Sequence, residues 1–148
     1  MEKRTLRRKI IQVLLVDDMP QVRQGLATML ELATKNQELK IEVVGEAQDG
    51  ENAIKQAQAL HPDVILMDLE MPVLDGFQAT QYIKLNDPSI LIIVLTIHDD
   101  LATRQKATLA GADSFITKSA PLDGLIRSII DLRWGVNERK SYGRSYSD

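Results

Sequence analysis

Ile10-Ile11-Gln12-Val13-Leu14-Leu15-Val16-Asp17-Asp18 is a short apolar run that ends on two carboxylates, and Val64-Ile65-Leu66-Met67-Asp68 repeats the pattern with one. Runs this short and this rich in Val, Ile and Leu read as buried strands of a parallel sheet. Such sheets bind ligands just outside the carboxyl ends of their strands. Asp17, Asp18 and Asp68 are therefore expected to meet at one edge. Bare carboxylates at close range repel one another unless a cation sits among them or one acid is neutralised. Oxygen donors, in a chain with no Cys and no nearby strand-end His, favour Mg2+ over zinc, with Mn2+ as the alternative. Mg2+ commonly meets phosphate oxygens, so the edge reads as a site for phosphoryl chemistry.

Outward from these two runs, strand-like and helix-like periods alternate. Pro20 suits the first turn of a helix carrying Val22, Leu26, Met29, Leu30 and Ala33 on one face, which ends in the polar stretch Thr34 to Lys40. Ile41 to Gly45 reads as a second strand. Asp49-Gly50 opens a helix with Ala53, Ile54, Ala57 and Leu60 inward, and His61-Pro62 stops it. After Asp68, Asp75 is placed to cap a third helix through Gln78, with Phe77, Tyr82 and Ile83 inward. Asn86-Asp87-Pro88-Ser89 is a turn. Ile90 to Leu95 is a fourth strand ending at Thr96, and Asp99 or Asp100 starts a helix that Gly111 closes. Ser114-Phe115-Ile116-Thr117 is a fifth strand ending at Lys118. A last helix from near Pro121 turns Leu122, Leu125, Ile126, Ile129 and Ile130 toward the sheet. Five strands alternating with five helices predict an α/β fold, a doubly wound parallel sheet with right-handed crossovers.

Composition restricts the function. A chain of 148 residues, 44% hydrophobic and 26% charged, fits one domain with a real core. A formal net charge of -3 gives the domain no basis for direct nucleic-acid binding. The lack of Cys fits a reducing cytoplasm. No run approaches the roughly 20 apolar residues of a membrane span, so no membrane association is expected. The first apolar run, broken by Gln12 and stopped by Asp17-Asp18, is no signal peptide. A basic arm (1–9, with Lys3, Arg4, Arg7, Arg8 and Lys9) precedes a domain over 10–133. A polar tail or linker over 134–148 follows, which could dock through Trp134, Tyr142 or Tyr146.

Asp17-Asp18, Asp68, Thr96 and Lys118 follow strands one, three, four and five, giving acids, a hydroxyl and an ammonium along one edge. With Leu14-Leu15-Val16-Asp17-Asp18, Asp49-Gly50, Asp63 to Pro72, Asp75-Gly76, Leu95-Thr96, Gly111-Ala112-Asp113 and Phe115-Ile116-Thr117-Lys118 in this order, residues 10 to 132 resemble the response regulator receiver domain of two-component signalling. The resemblance implies a flavodoxin-like sheet of strand order 2-1-3-4-5. It also implies Asp68 as the phosphoacceptor, loaded from a sensor histidine kinase or phosphotransfer protein. Mg2+ would be held directly by Asp18, Asp68 and the backbone carbonyl of Glu70, and through water by Asp17. Thr96 and Lys118 would contact phosphoryl oxygens, and Phe115 would be the switch aromatic, without the hydroxyl of a tyrosine. Such a domain is a switch rather than an enzyme, beyond self-phosphorylation and slow dephosphorylation. Its output would be altered partner binding, or a homodimer through helix four, strand five and helix five, a face assigned Arg104, Phe115, Thr117, Leu122 and Ile126.

The chain departs from the family at Ser119, where many receivers have proline after a cis bond, and at Ile97, where a branched side chain could narrow access to Asp68. Gly-Ala-Asp before the fifth strand and Lys-Ser-Ala-Pro after it resemble receivers that precede a helix-turn-helix domain. The chain is then a stand-alone receiver or the receiver part of a transcription regulator. The alternative is a haloacid-dehalogenase-like phosphohydrolase, suggested by Asp68-Leu69-Glu70, although that reading expects the nucleophile on the first strand. A nucleotide-binding flavodoxin-like protein would need a Gly-rich first loop where Asp17-Asp18-Met19-Pro20 stands. The Glu70 carboxylate is expected to face an incoming phosphodonor, and His98 to lie exposed beside the site without a role.

Overall fold

The computed structural model describes residues 9–135. The elements run β1 (Lys9–Val16), α1 (Pro20–Thr34), β2 (Leu39–Ala47), α2 (Gly50–Leu60), β3 (Val64–Asp68), α3 (Gly76–Asn86), β4 (Leu91–Thr96), α4 (Leu101–Ala110), β5 (Ser114–Thr117) and α5 (Leu122–Trp134). All strand pairs are parallel, in the order β2-β1-β3-β4-β5. The expected strand order and helix count are both found. Of the arm 1–9 and the tail 134–148, residues 1–8 and 136–148, with Tyr142 and Tyr146, lie outside the described residues, while Lys9 opens β1 and Trp134 closes α5 and packs against the core.

Alternation along β1 divides the core between two layers. Ile11, Val13 and Leu15 face α1 and α5, packing with Leu30, Ile126 and Ile130, while Leu14 and Val16 face α2 and α3, packing with Ala53, Ala57 and Ile83. A smaller cluster of Leu69, Val94 and Ala107 seats α4, with Phe77 and Phe115 against it. Register brings the strand ends level. Val16 pairs with Met67, Asp68 with Leu95, and Thr96 with Thr117. The residues after β1 and β5 and those ending β3 and β4 therefore share one edge. The chain winds in opposite senses on either side of β1 and β3, which makes this edge a switch point where α/β sheets bind ligands.

Three helices start on an aspartate. Asp49 accepts from the backbone N–H of Asn52 at 2.7 Å, Asp75 from Gln78 at 2.9 Å and Asp100 from Thr103 at 3.0 Å. Asp100 is thus the cap of α4, while Asp99 pairs with Arg104 at 2.6 Å. The Asp-Gly pairs at 49–50 and 75–76 also set close approaches. A Cβ at Gly50 would strike the Leu74 carbonyl oxygen, and one at Gly76 the Asp68 carbonyl oxygen. The loop from β3 to α3 is drawn in against both glycines, whose amides bond Leu74 O at 2.9 Å and Leu69 O at 3.1 Å.

Several inward assignments need correction. Val22 and Met29 are 37% and 49% exposed, because they line an open groove of about 420 Å3 between α1 and α5 rather than the sheet contact. Tyr82 is exposed, since α3 sits on the sheet through Ala79, Thr80 and Ile83. Strand β2 extends beyond Ile41–Gly45 at both ends, with Leu39 and Ala47 buried against neighbours. Ile126 is wholly buried in the core and Leu122 lines the α1 groove, so the expected α4–β5–α5 surface keeps only Arg104, Phe115 and Thr117 of the residues assigned to it.

Candidate functional site

Asp17, Asp18 and Asp68 each bring a carboxylate oxygen to within 4.8 Å of the others. Asp17 and Asp68 are buried and Asp18 is exposed. The loop carrying the first two acids is fixed from both sides. Asp17 Oδ1 accepts from the backbone N–H of Met19 at 2.9 Å, and the Asp17 carbonyl accepts from Arg23 Nη1 at 2.6 Å. Arg23 is itself anchored by Glu46 at 2.9 Å. Pro20 at the first helical position ends the loop by starting α1 directly.

Lys118 reaches in from the end of β5. Its Nζ lies 3.0 Å from Asp17 Oδ2 and 3.5 Å from Asp68 Oδ1, while its backbone N–H bonds the Thr96 carbonyl at 2.7 Å. Burial alone would lower the Lys118 ammonium, but the hydrogen bond to Asp17 and the charges of Asp68 and Asp17 outweigh it and hold the group above the ordinary lysine value. Burial pushes Asp68 above the ordinary carboxylate value, opposed by the Lys118 charge and the Glu70 N–H and reinforced by the Asp17 charge. One ammonium thus touches two carboxylates of a cluster of three. An all-oxygen cluster with surplus negative charge, two of its acids buried, fits a hard divalent cation.

Thr96 is fully buried, and its Oγ1 accepts from the backbone N–H of His98 at 3.1 Å. Asp68 Oδ1 is held in the same manner by the backbone N–H of Glu70, at 3.2 Å. The side chains of Glu70 and His98 then meet, Oε1 to Nε2, at 3.0 Å. Phe115 is half-buried against the α4 cluster with the Arg104 guanidinium 4.5 Å above its ring. Ile97 is 68% exposed, and the Lys118–Ser119 peptide is trans. Asp17, Asp18, Asp68, Thr96 and Lys118 therefore come together at one edge, with Glu70 beside them and Phe115 on the neighbouring face. Sequence reasoning overlooked Arg23, on the first turns of α1, and the contact made by His98. Neither carries a periodicity or motif signal.

Residues 13–130 match the model of the family described as the response regulator receiver domain. The chain belongs to that family. Transcriptional regulatory protein LiaR of Bacillus subtilis is 43% identical over 113 residues, covering 75% of this chain and 50% of that protein. The signal receiver domain of the response regulator NarL from Mycobacterium tuberculosis superposes with a TM-score of 0.78 at 29% identity, covering 87% of this chain and 99% of that one. A two-component response regulator of the LuxR family from Aurantimonas gives 0.76 at 27% identity, covering 95% and 100%. The chain spans about half the length of the curated relatives it matches. Receiver domains are phosphorylation-controlled elements of two-component signalling, not metabolic enzymes, and this receiver carries their acidic pocket. Membership leaves the phosphohydrolase alternative without support. Among the described residues no helix is long and apolar enough to cross a membrane.

Proposed function

We propose that this receiver accepts a phosphoryl group on Asp68 from a sensor histidine kinase or phosphotransfer protein and thereby changes its binding to a partner or to itself. The clustering of Asp17, Asp18 and Asp68, with the Lys118 ammonium against Asp17 and Asp68, carries the proposal. A carboxylate oxygen of Asp68 attacks phosphorus, the P–N bond of a phosphohistidine breaks, and the imidazole leaves with the electron pair, to be reprotonated by solvent. Asp18, Asp68 and the Glu70 carbonyl would hold Mg2+, or Mn2+, with Asp17 acting through water. The cation would screen the acids and stabilise charge on the transferring group. Lys118 pairs with one phosphoryl oxygen, and the Thr96 hydroxyl donates to another. Phe115 follows Thr96 inward and transmits the change to the α4–β5–α5 face, the candidate surface for a homodimer.

The similarity to transcriptional regulatory proteins supports a cytoplasmic transcription regulator as the whole protein, with DNA binding outside this domain; composition is the support for reading 1–9 as a basic arm and 134–148 as a tail or linker. Incubation with acetyl phosphate or phosphoramidate tests the switch against an enzyme. Magnesium-dependent labelling should stop at one hydroxylamine-labile phosphoryl group per chain, and multiple-turnover hydrolysis of a small phosphate ester would overturn the reading.

A further inference from the structure

Strand β2 slips by one residue against β1 near its end. Val13 lies beside Val43 but Leu14 beside Gly45, so Val44 has no partner, and the next pairs are Leu15 with Glu46 and Val16 with Ala47. Neighbours in register share a face of the sheet, and Leu15 belongs to the α1–α5 layer while Leu14 and Val16 belong to the α2–α3 layer. The extra residue therefore turns Glu46 toward α1. Had Val44 paired with Leu14, Glu46 would lie beside Val16 and face α2. On α1 it meets Arg23, whose Nε donates to Glu46 Oε1 at 2.9 Å while Nη1 of the same guanidinium donates to the Asp17 carbonyl at 2.6 Å. That carbonyl belongs to the planar peptide joining Asp17 to Asp18, so the directions of both carboxylates are tied to β2. A second tie runs from the Asp17 N–H to the Ala47 carbonyl at 3.0 Å. The Arg23 side chain is only 13% exposed. Charge alone would make it a hindrance there, because a guanidinium beside the acids weakens their hold on another cation. Shape works in the opposite direction.

We propose that Arg23, aimed by Glu46, is a positioning residue that holds the Asp17–Asp18 turn in the shape a small octahedral cation needs, and so gives the pocket a preference for Mg2+ over the larger Ca2+. This rests on the acidic cluster being the cation site. Mg2+ demands near-ideal octahedral geometry at short range, whereas Ca2+ accepts a larger and less regular shell of oxygens. A loosened turn therefore costs Mg2+ more than Ca2+.

NMR titrations of the whole chain with Mg2+ and, separately, Ca2+, at fixed pH and high salt, test the assignment. Arg23→Met should weaken Mg2+ binding about tenfold, the low end of what losing a group that orients metal ligands costs, and Ca2+ binding by less than about threefold. Arg23→Lys keeps the charge but not the fork, and should weaken Mg2+ by about threefold or more. Glu46→Ala should weaken Mg2+ binding in the wild type and leave it unchanged in Arg23→Met, since Glu46 acts through the guanidinium. Tighter Mg2+ binding in Arg23→Met would show that Arg23 acts by charge, and unchanged affinities with a lower melting temperature would show that it only holds the fold. Either result overturns the proposal, as does an equal loss for the two cations or an undiminished effect of Glu46→Ala in Arg23→Met. Hydrogen exchange of the Met19 amide, which donates to Asp17 Oδ1 at 2.9 Å, gives a readout without metal. It should quicken in Arg23→Met, and an unchanged rate would refute the positioning role. Failure of the wild type to bind either cation would instead refute the acidic cluster as a cation site, and the exchange rate would still decide whether Arg23 sets the turn.

Discussion

Lys118 is bound more closely to Asp17, at 3.0 Å, than to Asp68, at 3.5 Å. Before phosphorylation the ammonium therefore serves as counter-ion to the acid that is not the proposed acceptor. Lys118→Met leaves Asp17 and Asp68 mostly buried without that charge, and should destabilise the metal-free domain by about 1 kcal/mol or more. Magnesium should then stabilise the variant more than the wild type, because a cation bound to the native state replaces the missing charge. Thermal melts across a magnesium titration check this. Equal stabilisation of both proteins would show that Lys118 and the cation do not share Asp17.

The raised value of Asp68 gives a pH dependence of definite sign. A carboxyl that binds its proton more tightly when folded contributes stability below its ordinary value of 3.8, and that contribution is lost as pH rises through the folded value. In chelator at neutral pH, Asp68→Asn should therefore be more stable than wild type, with the gap closing toward acid. Urea melts over that range measure it. A gap that widens toward acid would contradict the burial of Asp68 as the dominant cause.

Strain in the β3–α3 loop predicts a stabilising substitution. Val73 has φ of +68°, and the Leu74 N–H bonds the Pro72 carbonyl at 2.8 Å, which makes Val73 the centre of a left-handed γ-turn. A β-branched residue there costs about 1–3 kcal/mol. Val73→Gly removes the strain at a smaller entropic cost of about 0.5–1 kcal/mol, so the urea midpoint should rise. A lower midpoint would mean that Val73 is not strained.

The strand ends were legible because central parallel strands are buried on both faces and read as unbroken apolar runs, each stopped by the polar residue that matters. Caps at Asp49, Asp75 and Asp100 were legible for a similarly local reason. Helix faces were less so. Val22, Met29 and Tyr82 satisfy helical spacing, yet each helix buries a narrower seam than its apolar stripe, and small residues such as Ala79 and Thr80 make the close contact. The left-handed turn at Val73 has no sequence signal, since a β-branched residue argues against it. The Glu70–His98 contact joins two loops, and nothing in either loop's composition announces its partner.

Coupling from the site to the α4–β5–α5 face should depend on Thr96 more than loading does. With magnesium and beryllofluoride, hydrogen exchange should change in α4 and β5 of the wild type, and Thr96→Ala should blunt that change while leaving most of the labelling of Asp68. Identical exchange in the two proteins would remove Thr96 from the path.

The most direct measurement is the location of the phosphoryl group itself. Phosphoramidate with magnesium, followed by intact mass and peptide mapping, should find one hydroxylamine-labile group on the peptide containing Asp68, absent with chelator and absent in Asp68→Asn. Undiminished labelling of Asp68→Asn, or labelling indifferent to chelator, would contradict Asp68 as the acceptor.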